Sequence, residues 1–248
     1  MRKFKITILL IPLFFTAELL FAQMGMADCK VWLRKVYSSM EQNFRPSENK
    51  VLHLGYQVTT QMKEGSFEMS AELYSNNTKS WFISKDAEVY QDNSITVSVL
   101  PSKKLIYISD FTLKEQKESK LKQLSFVKDT LFYMANVTYC DNVKMNDGKE
   151  CKKITLELSE MGKKLFKVES MDFFVDEKKE QLKEVFVKYI PANEIQEMNV
   201  KFIKMEMTNH SDKLNGTLLS NVMDGNGIKK PNYKNYQVTD NRSKKTTF

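Results

Sequence analysis

The stretch VYQDNSITVSVLPSKKLIYIS, Val89–Ser109, decides the fold. Two runs rich in β-branched residues, Ile95–Leu100 and Lys104–Ser109, are separated by Pro101-Ser102, and Asp92-Asn93 precedes the first. Proline presets a turn and cannot continue a ladder, while Asp and Asn satisfy tight-turn backbone with their own side chains. The spacing therefore predicts short strands joined by tight reversals, which is the habit of an antiparallel meander.

Upstream, the same pattern predicts strands over Lys79–Lys85 and Ser66–Tyr74, with Asn76-Asn77 and Gly65 as turns. From Val51 the residues Leu52, Leu54, Tyr56, Val58 and Met62 alternate with His53, Gln57, Thr59 and Gln61. That period of two predicts a half-buried strand whose polar face, His53 included, meets solvent. Before it, Leu33, Val36, Tyr37, Met40 and Phe44 recur at helical spacing, so a helix capped by Asp28 is expected to about Asn43, ended by Arg45-Pro46.

Downstream, Asp110 can cap a charged helical stretch, LKEQKESKLKQL, followed by a short amphipathic piece using Val127, Leu131 and Met134. Strands are then expected over Val137–Lys144, Cys151–Leu158, Leu165–Val175, Leu182–Tyr189 and Asn199–Met207, with a bulge near Ser170-Met171 where the alternation slips. No repeat or linker divides the chain, and about ten strands in one sheet must curl. The expected class is mainly β (α+β): a long curved antiparallel sheet, an open half-barrel, with an N-terminal helix and a central helical insertion covering its concave face. Residues 23–223 form that domain, and 224–248, rich in Lys, Asn and Gly, are expected as a loosely docked basic tail.

Residues 1–22 read as a signal peptide: Arg2, Lys3 and Lys5 precede a short apolar run, and Ala22 is a small residue at which cleavage would leave a mature chain starting near Gln23. Periplasmic localisation follows, and Cys29 makes a poor lipidation site because Asp28 precedes it. Without the signal's three cations and Glu18 the formal charge of +7 drops to about +5, with both signs interleaved. This excludes a nucleic-acid arm and fits a monomer with a well-solvated surface. In an oxidising compartment Cys140 and Cys151, bracketing the turn-like DNVKMNDGKE, are expected to form a disulfide across a hairpin, the alternative being two unpaired thiols. Cys29 reads as a small packing residue.

Catalytic chemistry finds no foothold in this pattern. His53 and His210 are far apart and outside any metal-ligand spacing, no nucleophile elbow occurs, and Gly225 and Gly227 form no phosphate-cradling loop. No enzyme activity, cofactor or metal is expected.

The order of an exported helix, about five meander strands, a helical insertion and about five more strands resembles the outer-membrane lipoprotein carrier (LolA-like) family. Val89–Ser109 is similar to the family's paired strands, with Asp92, Pro101 and Tyr107 in place, and Trp81 occupies its tryptophan position. KKLFKVESMDFFVDEKKEQLKEVFVKYIP resembles its long hairpin. The family's lipoprotein carriers have an arginine before the tryptophan that latches the helical lid; here that position is Ser80, next to Lys79. The resemblance thus implies the fold and a capacity to enclose an acyl chain.

If the sheet curls, Tyr56, Val58, Trp81, Ile83, Val97 and Val99 converge on an apolar chamber, joined by Leu156, Phe173 and Val187 from the second half. Trp81 is expected to face its helix-covered side. The expected function is a non-enzymatic periplasmic carrier that shields lipoprotein acyl chains or a related hydrophobic ligand. The alternative is a module binding another envelope protein through a strand edge or through Lys229, Lys230, Lys234, Arg242, Lys244 and Lys245.

Overall fold

The computed structural model describes residues 7–45, 47, 49–110, 128–145, 147–209, 211–224 and 227–242, with backbone alone at 7–24 and 213. The chain is mainly β, with twelve strands in an open, mixed sheet. It divides into two units, Met1–Gln42 with Leu131–Asn193, and Asn43–Thr130 with Glu194–Phe248. Among the described residues no helix is long and apolar enough to cross a membrane.

The larger unit holds β1 (Val51–Met62), β2 (Gly65–Ser75), β3 (Ser80–Ser84), β4 (Glu88–Gln91), β5 (Ile95–Leu100), β6 (Leu105–Asp110), β11 (Ile195–Thr208) and β12 (Gln237–Asp240). Their order is β12-β6-β5-β4-β3-β2-β1-β11. The expected turns close as their side chains dictate. Asn76 Oδ1 accepts from the Thr78 and Lys79 N–H groups at 3.0 and 2.7 Å, and Asp92 Oδ1 from those of Ser94 and Ile95 at 2.7 and 2.9 Å. Pro101–Lys103 is one 3₁₀ turn ending in a left-handed Lys104 (φ 48°). Within the meander one strand escaped the sequence reading: β4 is only four residues long, set off from β3 by the Ser84–Ala87 turn.

The C-terminal stretch is where expectation and structure part. Inside the expected domain it runs through 3₁₀ turns at Asp212–Leu214 and Leu219–Asn221; beyond that, where a loose tail is expected over 224–248, it makes a further 3₁₀ turn at Pro231–Tyr233 and adds β12 in parallel to β6. Leu214, Leu218 and Val222 are buried, with Tyr233, Tyr236 and Val238 packed against the same core as Trp81 and Val97. Sparse hydrophobic residues suffice here because each falls on an apolar sheet face already formed.

The smaller unit orders its strands β10 (Gln181–Tyr189), β9 (Val168–Asp176), β8 (Glu150–Leu158) and β7 (Ala135–Lys144), all antiparallel. Helix α1 spans Thr7–Asn43, so it continues upstream of Asp28 and through the expected cleavage point near Ala22; residues 1–6 lie outside the described residues. Its expected stripe packs: Leu33 and Val36 are fully buried, and Tyr37 meets Phe132 and Phe173 edge-on with centroids 5.6 and 6.0 Å apart. The charged stretch Leu113–Leu124 lies outside the described residues, whereas 128–134 is helical (α2). A short helix α3, Glu160–Phe166, occupies the start of what reads as a strand, capped by the Ser159 hydroxyl and ended by left-handed Lys167. The bulge expected near Ser170-Met171 falls at the neighbouring Glu169, between the Ser170–Lys188 and Val168–Tyr189 pairs.

The disulfide is a correction. Cys140 is bonded to Cys29 on α1, their Cα atoms 6.5 Å apart, and Cys151 is a buried free thiol. Period-two geometry explains it. Cys140 lies opposite Ile154, and Cys151, three residues from Ile154 on β8, points to the other face.

Candidate functional site

Strand register sorts the larger unit's side chains onto two faces. On one, a cross-strand row runs Glu206, His53, Tyr74, Trp81, Tyr90, Val97 and Ile108 through successive directly opposed pairs. Its rings stack from strand to strand, with centroids 4.1 Å apart for His53–Tyr74, 5.6 Å for Tyr74–Trp81 and 5.5 Å for Trp81–Tyr90. The C-terminal segment closes over this aromatic face, and Lys79 donates to the carbonyls of Leu214 and Gly216. The lysine beside Ser80 therefore ties down that segment.

His53 is buried at 8% exposure, against the expectation of a solvated polar face. That expectation assumed a sheet covered on one side. Here Nε2 is hydrogen-bonded to Glu72 Oε2 at 3.2 Å and Nδ1 lies 3.6 Å from Glu206 Oε1, so carboxylates from both neighbouring strands flank the ring. Tyr74 donates to Glu72 at 2.7 Å; burial, aided by that bond, pushes its phenol up to about 12. Burial likewise raises the Tyr90 phenol, which donates to Glu88 at 2.7 Å. His210 lies outside the described residues.

The other face is a continuous apolar field of different character. Leu52 opposes Met207, Leu54 opposes Met205 and Leu73, Tyr56 opposes Phe202 and Ala71, Val58 opposes Val200 and Met69, and Thr60 opposes Met198 and Phe67. Most of these side chains are half-buried, and Phe67 is exposed. Between Gly55 and Tyr56 the register shifts, because Ile203 is an extra residue on β11. A Cβ on Gly55 would come within 3.3 Å of Lys204 Cβ, which suits glycine to the bulge. The bulge is what puts Met198, Val200 and Phe202 on the same face as Met205 and Met207. Methionine supplies flexible, polarisable surface that adapts to an irregular apolar partner.

The nine residues expected to converge are thus divided. Tyr56 and Val58 lie on the methionine face. Trp81, Ile83, Val97 and Val99 lie on the aromatic face, Ile83 and Val99 flanking Glu88 in one row, and among the described residues they are covered by the C-terminal segment. Leu156, Phe173 and Val187 share a face in the smaller unit, where Phe173 packs with Tyr37 of α1 and with Phe132. Sequence reasoning missed the methionines of β11. Their signal was present as a switch of apolar parity, from even positions up to Phe202 to odd ones from Met205.

Among the described residues no group of His, Cys, Asp and Glu side chains could hold a metal ion. No protein-family model matches the chain. No curated protein matches it either. Similar solved structures include a LolA superfamily protein from Nitrosomonas europaea (7% identity, 72% of this chain and 95% of that one, TM-score 0.29). MucB from Pseudomonas aeruginosa, in complex with MucA, matches over 77% of this chain and 61% of its own (10% identity, TM-score 0.43). An uncharacterized conserved protein from Thermus thermophilus matches over 84% and 98% (9% identity, TM-score 0.42). LolA superfamily structures are therefore among those the chain is similar to, as its sequence resemblance implied. At such identities and TM-scores, function has to be argued from this chain's own side chains.

Proposed function

We propose that the protein is a non-enzymatic periplasmic carrier that shields the acyl chain of a lipoprotein or a related hydrophobic ligand on the methionine face. The observation that carries this reading is the half-buried apolar field of β1, β2 and β11 around Tyr56 and Val58, set against an opposite face already filled by the chain's own C-terminal segment. Burying each methylene of an acyl chain is worth about 0.8 kcal/mol, so a groove that covers part of a tail is enough for binding. Tyr56 adds an aromatic wall whose phenol burial pushes up. The signal-like residues 1–22 supply the route to the periplasm.

A competing role as an envelope-protein module working through a basic tail is the weaker reading. Lys229 donates to the Tyr236 carbonyl at 2.7 Å, Arg242 pairs with Asp240 at 2.6 Å, and β12 occupies the free side of β6. The test is organic extraction of protein purified from the exported fraction, followed by mass spectrometry of the extract. A co-purified acyl lipid near equimolar with the protein is expected. Repeated absence of lipid, with no uptake of a fluorescent fatty acid, contradicts the proposal.

A further inference from the structure

In the smaller unit, three large apolar side chains are turned outward at one end: Tyr133 of α2 at 82% exposure, and Met161 and Leu165 of α3 at 70% and 59%. They belong to adjoining elements. The Ser159 N–H donates to the Met134 carbonyl at 2.8 Å, and Gly162 sits so close that a Cβ there would come within 3.2 Å of both Met134 and Leu158. That approach turns the inner side of α3 onto the strand end and leaves Met161, Lys164 and Leu165, at i, i+3 and i+4, as its outer stripe. A β8–β9 reversal needs only a short turn, yet the chain spends a capped helix on this stripe.

This end carries a basic excess, Lys163, Lys164 and Lys167 against Glu157 and Glu160. Lys163 pairs with both Glu157 and Glu160, at 3.0 and 3.2 Å, which offsets one of the two carboxylate charges. Lys164 and Lys167 remain exposed on either side of Leu165, and among the described residues neither is in an ion pair. Exposed Met, Leu and Tyr with lysines beside them are the chemistry of an interfacial contact: the apolar tips enter the headgroup boundary and the ammonium groups lie over anionic headgroups.

We propose that the α2–α3 end of this unit docks on an anionic lipid bilayer through Tyr133, Met161 and Leu165, with Lys164 and Lys167 supplying the electrostatic attraction. The surface uses none of the residues of the methionine face, so it stands whether or not that face holds an acyl chain. The experiment is co-sedimentation of the full chain with vesicles of phosphatidylcholine alone and of phosphatidylcholine mixed with phosphatidylglycerol, at low and high salt. Wild type is expected to partition onto the mixed vesicles and to be released by salt. Met161→Glu/Leu165→Glu should lower partitioning by roughly tenfold or more, and Lys164→Ala/Lys167→Ala should lower it and flatten its salt dependence. All positions are exposed, and circular dichroism verifies that the variants fold. Fluorescent fatty acid binding, unchanged in both, separates this surface from the carrier site. Absence of wild-type binding to mixed vesicles, or equal binding by the folded glutamate variant, overturns the proposal.

Discussion

Asp92 shows how one side chain sets a reversal. Burial works against its charge, but hydrogen bonds from the Ile95 and Ser94 N–H groups and the Ser94 hydroxyl, with Lys79 nearby, hold its carboxyl below the usual carboxylate range. A folded value below the unfolded one, about 3.9, contributes stability that is complete above pH 4 and is lost as pH falls through the folded value. Asp92→Ala should therefore lower stability by about 1 kcal/mol near neutral pH, and urea titrations should show the gap closing in acid. A gap that persists at the acid end would mean that packing, rather than charge, holds the turn. Tyr74 and Tyr90 act at the opposite end of the scale. Their raised phenols contribute stability that is full below the unfolded value of about 10 and is lost as pH rises above it. Tyr74→Phe/Tyr90→Phe should flatten the alkaline limb of the melting profile. Asp92 was legible in the sequence because its role is local. His53 was not, because its burial rests on a Tyr74 ring stacked on it and on carboxylates from two neighbouring strands, which alternation along β1 does not show.

At the scale of elements, Cys29–Cys140 joins α1 to β7 across 111 residues of sequence. Constraining so long a loop in the unfolded chain is worth about 2–4 kcal/mol. Non-reducing peptide mapping should find Cys29 linked to Cys140 with Cys151 free, and Cys29→Ser/Cys140→Ser should cost stability of that order. A Cys140–Cys151 peptide would contradict this strand register. Burial, with Glu184 nearby, pushes the Cys151 thiol up, so it should alkylate slowly in the folded protein. The hairpin was visible in sequence, but the pairing was not: proximity along the chain suggested Cys151, and only the β7–β8 register shows which face each sulfur takes. The C-terminal segment carries a second consequence. Val222 is fully buried, and Val222→Ala should lower stability by about 2 kcal/mol. In a Trp32→Phe background, ending the chain at residue 223 should red-shift Trp81 emission as Tyr233, Tyr236 and Val238 leave the core; unchanged emission would mean that the segment is as loose as its composition suggests.

For the whole molecule, the meander, its turns and the stripe of α1 were legible because each rests on local chemistry: period two, period 3.6 and turn residues. The candidate site was legible only in composition. Sequence alternation marks which residues of a strand share a face, but it does not tie the face of one strand to that of the next. Tyr56 and Val58 were accordingly grouped with Trp81 and Val97, from which register separates them. What emerges is a larger unit with one face closed by its own C-terminal segment and another that presents half-buried methionine, tyrosine and valine. The central claim, that the second face holds an acyl chain, is tested most directly by titrating a fluorescent fatty acid into wild type, Val58→Asp and Gln57→Asp. The two substitutions put the same charge on adjacent residues of β1 that point to opposite faces. The account predicts saturable binding by wild type, loss of roughly tenfold or more in affinity for Val58→Asp, and near-wild-type affinity for Gln57→Asp. Equal affinity in all three, with Val58→Asp folded, would contradict it.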